Sequence, residues 1–131
     1  MTSKNFFIFQ AFVCLAYGIP LLLVPDFFIN LSAISKIEMT SKLLTISRGY
    51  ATVLIGVGVA SFLIRDAVPS LARSGFFVLA IVTNTLVTIA GVRTMLSGEE
   101  NSSGWITVLF TVILMIWSGM LWTKDKGLAL E

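Results

Sequence analysis

Thr40 to Ile64, TSKLLTISRGYATVLIGVGVASFLI, constrains this chain more than any other stretch. At ~1.5 Å per residue it is long enough to cross a bilayer as one helix. An arginine, Arg48, lies inside the apolar run, and glycines at 49, 56 and 58 let helices approach closely in lipid. Three further apolar runs flank it, over about residues 6–24, 75–93 and 105–122. A chain of 131 residues that is 56% hydrophobic and 12% charged has too much apolar surface for one small core, since soluble domains carry about a quarter charged residues. Lipid must then stand where water would. The predicted fold is all-α: an integral membrane four-helix bundle, one four-span domain over 1–131, with a short interfacial helix between spans one and two.

The first run, FFIFQAFVCLAYGIPLLLV, follows Lys4 and carries no charge. No small-x-small cleavage site comes after it, so it reads as a retained span and not a signal peptide. Pro20 should bend or loosen its last turn. In Pro25–Met39, Asp26 is the expected N-cap of a short helix, and Phe27, Leu31 and Ile34 at i, i+4, i+7 suit a helix lying in the headgroup plane. An irregular loop is the plainer alternative. RDAVPSLARS (65–74) reads as a polar turn and MLSGEENSSG (95–104) as a flexible loop. Trp105 and Trp122 bracket span four, as indoles do at the two interfaces. Lys4, Arg65, Arg73, Lys124 and Lys126 lie on the side of the termini, against Lys36, Lys42, Arg48 and Arg93 opposite. That five-to-four bias predicts cytoplasmic termini.

Arg48 is the sharpest candidate for chemistry. It either snorkels towards the nearer headgroups or faces the bundle interior, binding a carboxylate, phosphate or headgroup. Asp26, Glu38, Glu99 and Glu100 are its possible partners. Each span also carries a polar or small stripe: Gln10, Cys14, Tyr17 and Gly18; Arg48, Thr52, Gly56 and Ala60; Ala80, Asn84, Thr88 and Gly91; Thr107, Thr111, Met115 and Ser118. Such stripes turn inward, either as interhelical glue or as the lining of a pocket. Arg48, Gln10, Asn84, Thr88 and Tyr17 are the candidate ligand contacts. Gly56 and Ala60 form a small-xxx-small motif for packing or self-association. Arg93 reads as a cation at the end of span three, and Cys14 as a small packing residue.

Histidine is missing, no span holds a pair of carboxylates, and no glycine-rich phosphate loop occurs. These absences argue against an enzyme, a metal site or a bound cofactor. A net charge of +2 without a basic cluster argues against nucleic acid. Gly18 seven residues before Pro25, Arg48-Gly49, Arg65-Asp66 and Gly104-Trp105 together resemble the layout of small bacterial four-helix inner-membrane proteins of the DoxX-like kind. The resemblance implies a bacterial inner-membrane bundle and no agreed activity. The expected function is binding of a lipidic or apolar ligand, or of a membrane partner, between the helices. The alternative is a subunit of an oligomeric transporter or channel.

Overall fold

The computed structural model describes residues 2–128, the side chains of 126–128 excepted, so the side chain of Lys126 lies outside it. The chain forms α1 (Ser3–Leu23), α2 (Pro25–Ser32), α3 (Ser41–Leu63), α4 (Leu71–Ser97) and α5 (Gly104–Leu128). All but α2 are long and apolar enough to cross a membrane. Thr2, Thr40 and Ser70 cap their helices, each hydroxyl accepting the backbone N–H three residues on. Gly98, at φ 73°, ends α4, and the N–H groups of Gly98 and Glu99 donate to the carbonyls of Met95 and Thr94.

Several expectations need correction. Asp26 is not the N-cap of α2: Val24 holds that place, Pro25 opens the helix with its preset φ, and Asp26 lies in the first turn. Ile34 falls beyond α2, although Phe27, Leu31 and Ile34 are all exposed. The turn at 65–74 is shorter than expected, because Ser70 starts α4 at Leu71 and draws Arg73 into the helix. α4 likewise runs on to Ser97, leaving Arg93 exposed a turn before its end.

α1 packs along α3 and α4 along α5, and the two hairpins meet chiefly through α1 and α5. The order across the array is therefore α3–α1–α5–α4, and its outer members do not pack on each other. Small residues set the α1–α3 spacing. A β-carbon at Gly18 would stand 2.9 Å from Ile55 Cγ1, and one at Gly58 would stand 3.0 Å from Leu15 Cγ and 3.2 Å from Cys14 Cβ.

Rings join the hairpins at the end that carries the termini. Phe6, Phe7 and Phe77 are wholly buried, with Phe7 stacked on Phe77 at 5.0 Å and Phe6 edge-on to Trp117 at 5.7 Å. Beside them a buried fork joins the start of α4 to the end of α5. Arg73 Nε and Nη2 each donate to Asp125 at 2.6 Å, and Arg73 Nη1 donates to the Ala67 carbonyl. On the surface, Lys4 Nζ lies 2.7 Å from Asp66 Oδ1. That hydrogen bond holds the Asp66 carboxyl below its ordinary value, helped by the Lys4 and Arg65 charges. At the opposite end the α4–α5 loop bonds to α2: Asn101 N–H donates to the Ser32 carbonyl at 2.7 Å and its side chain to the Leu31 carbonyl at 3.1 Å.

Gly58→Val should cost about 1–3 kcal/mol by overpacking, whereas Gly56→Val, at a position with nothing within 4 Å, should leave the monomer's unfolding in detergent unchanged. Asp125→Asn should cost about 3–5 kcal/mol by stranding a buried guanidinium, and the pair Arg73→Met with Asp125→Leu should recover most of it in the same assay. A carboxyl with a depressed pKa contributes stability at neutral pH and loses it as pH falls through that depressed value. Wild type should therefore lose an increment of thermal stability on acidification below the ordinary carboxyl range that Asp66→Asn does not.

Candidate functional site

A cleft runs between the two hairpins and opens where α3 and α4 fail to meet. Its deeper chamber, about 380 Å³, lies at mid-length of the helices, and an outer chamber of about 650 Å³ lies towards α2 and the α4–α5 loop. Tyr17, Leu21, Phe28, Tyr50, Val87 and Thr107 line both, so the chambers are continuous. Both volumes fall within the range of small-molecule pockets, about 300–1,000 Å³.

The lining follows helical spacing. α1 contributes Gln10, Val13, Cys14, Tyr17 and Leu21, and α5 contributes Thr107, Phe110, Thr111 and Leu114. α3 contributes Tyr50, Val53, Leu54 and Val57. That set, at i, i+3, i+4, i+7, is a legible amphipathic pattern that attention to Arg48 obscures.

The expected site residues divide. Gln10, Tyr17 and Asn84 all face the deeper chamber. Tyr17 Oη shares a hydrogen bond with Thr107 Oγ1 at 3.0 Å, which ties α1 to α5 at the junction of the chambers. Asn84 Nδ2 donates to the Ala80 carbonyl at 2.7 Å. Thr88 does not line the cleft. It bonds Thr111 Oγ1 at 2.8 Å and so acts as glue between α4 and α5. Arg48 lines neither chamber; it is exposed and makes no ion pair among the described residues.

The α3 stripe expected to turn inward does not. Arg48, Thr52 and Gly56 are exposed and Ala60 is half-buried, while Ser47, Ala51, Gly58 and Ser61 are buried against α1. Steps of four overshoot a 3.6-residue turn by about 40° each, so a strict-fours stripe walks round the helix. The buried face instead mixes steps of four and three. Its serines are satisfied locally, Ser47 donating to the Leu43 carbonyl and Ser61 to that of Val57. Gly56 therefore plays no part in packing within the chain.

Gln10 is the anomaly. It is 2% exposed, and its Oε1 is buried without a hydrogen-bond partner. A buried polar atom left unpaired costs about 1–3 kcal/mol. Trp117 Nε1, across the ring cluster, is the other buried polar atom without a partner among the described residues.

No family model matches the chain, and no curated protein or solved structure matches it. The cleft must therefore be read from its own chemistry. Its walls are aliphatic and aromatic, with amides at Gln10 and Asn84 and hydroxyls at Tyr17, Thr107 and Thr111. No group of three or more His, Cys, Asp or Glu side chains placed to hold a metal occurs among the described residues. Phe28, Tyr50, Glu99 and Glu100 belong to the lining and were not among the expected contacts.

Proposed function

We propose that this is a multi-pass inner-membrane protein, of the small bacterial DoxX-like layout, that holds a lipidic or apolar ligand in the cleft between α3 and α4. It binds and does not catalyse, and both termini are cytoplasmic. Gln10 in the wall of this mainly apolar chamber, its buried Oε1 without a hydrogen-bond partner, carries the reading. A chain under no functional demand would place an apolar side chain there, since leucine fills similar space without an orphaned acceptor. The gap between the outer helices gives an occupant entry from the side, within the plane of a bilayer. A filling of ordinary bulk lipid would be exchangeable and indifferent to Gln10.

A second reading, self-association, is favoured by the bare outer face of α3, where Gly49, Thr52 and Gly56 are exposed and β-carbons at both glycines would meet nothing within 4 Å. Cross-linking in native membranes, lost on Gly56→Leu, is its test.

Protein purified in mild detergent should retain a defined number of lipidic molecules by native mass spectrometry. Val87→Trp, which fills the junction of the chambers, should abolish retention with the fold intact. Gln10→Leu should raise the stability of the ligand-free protein by about 1–3 kcal/mol while weakening retention. Loss of stability in Gln10→Leu with unchanged retention would show that the amide serves the fold alone.

A further inference from the structure

The outer chamber ends on charge of one sign. Glu99 and Glu100 are the charged residues in the lining of either chamber, and neither makes an ion pair among the described residues. The four cations at this end, Lys36, Lys42, Arg48 and Arg93, are exposed and outside both linings. The loop that carries the carboxylates is held by its backbone. Ile34 N–H donates to the Glu99 carbonyl at 3.4 Å, and Ala33 and Glu100 form an antiparallel bridge, so the loop is fixed against α2. Gly104 has no β-carbon, and one there would collide with Glu100 Oε2 and Met95 Sδ; the missing side chain is the space the carboxylate occupies.

Inward from the carboxylates stand three rings shared by both chambers, Tyr17, Phe28 and Tyr50, with Tyr17 and Phe28 edge-to-face at 5.7 Å. Ring faces attract cations, ammonium groups in particular. Beyond the rings the deeper chamber is apolar apart from its amides and hydroxyls, and Gln10 in its wall, nine-tenths buried or more with Oε1 unpartnered, is an independent sign that it is built for an occupant. Charge, rings and apolar wall follow one another in the order of an amphiphile's own parts.

We infer that the ligand is an amphiphile with a positively charged amine headgroup, its ammonium between Glu99, Glu100 and the three rings and its chain in the deeper chamber beside Gln10. This rests on the proposed cleft function and names the ligand's class. A bilayer lipid with an ethanolamine headgroup and a free cationic amphiphile both present this chemistry.

The test compares dodecyltrimethylammonium with dodecyl sulfate, added to the full chain in dodecyl maltoside micelles and counted by native mass spectrometry. The cationic probe should bind one to one and at least about tenfold more tightly than the anionic one. The double variant Glu99→Gln, Glu100→Gln should lose that preference while keeping wild-type helicity. Gly104→Ala, which crowds the Glu100 carboxylate, should weaken it. Val87→Trp should lose both probes. Nanodiscs of phosphatidylethanolamine and of phosphatidylglycerol separate the sources: selective retention of the ethanolamine lipid assigns the site to the bilayer, and displacement by the cationic probe alone assigns it to a free amphiphile. Binding that ignores headgroup charge but is lost in Val87→Trp would overturn the ammonium and leave the cleft standing. A preference that survives in the double variant would also overturn it. Failure of every probe to bind wild type would overturn cleft and ammonium together.

Discussion

Helix spacing in this protein is set by side-chain size, and the cleft is its geometric result. α1 and α3 approach at Gly18 and Gly58, where a single added carbon would crowd the opposite helix, with buried Ala51 between them. The hairpins, by contrast, are joined through phenylalanines and a tryptophan, which stand between α1, α4 and α5 as spacers. Were these long apolar helices to lie in lipid, no hydrophobic force would close a gap between them, and association would depend on how well side chains interlock. Close packing inside one hairpin and wide packing between hairpins cannot close α3 onto α4 as well.

The gap is fixed at both ends by interactions of different kinds. At the terminal end the stacked rings contribute about 0.5–1.5 kcal/mol per pair beyond their burial, and the Arg73–Asp125 fork fixes the start of α4 against the end of α5. A buried ion pair adds little net stability over an apolar pair, but it admits only one register of those helices. At the α2 end the fastening is mainly backbone to backbone, from Ser32, Ala33 and Ile34 to Glu99, Glu100 and Asn101, with the Asn101 side chain adding a bond to the Leu31 carbonyl. The backbone bonds do not depend on the identity of the side chains, so the loop can carry carboxylates and still be held.

Much of this was legible in the sequence, and what was missed has a common cause. Four spans, a short helix after Pro25 and an inward face on α1 follow from hydropathy and spacing within about twenty residues. Gln10, Tyr17 and Asn84 were found because a polar residue in an apolar run must turn inward. Arg73 reads in the sequence as part of a polar turn, because its meaning lies in Asp125, 52 positions away. Glu99 and Glu100 read in the sequence as loop residues and possible partners of Arg48; the docking of that loop beside α2 brings them instead to the chamber's lining. On α3, Arg48 drew the stripe onto the wrong face, since a lone charge near a helix end can reach the headgroups without turning inward.

On the proposed reading, the unpaired Gln10 Oε1 would give the cleft a means of discrimination that its apolar walls lack. An aliphatic pocket separates ligands that differ by one methylene by only about 1–3 kcal/mol. A buried acceptor penalises every occupant that leaves it unpaired, in addition to any loss of contact. Its place in the deeper chamber, with the acidic residues in the outer one, would let the proposed occupant be checked at two separated points, by charge at one and by hydrogen bonding at the other. If the cleft holds the proposed ligand, the stability lost to the unpaired Gln10 Oε1 in the empty protein is the counterpart of selectivity in the filled one, as expected where binding displaces a protein from its stability optimum.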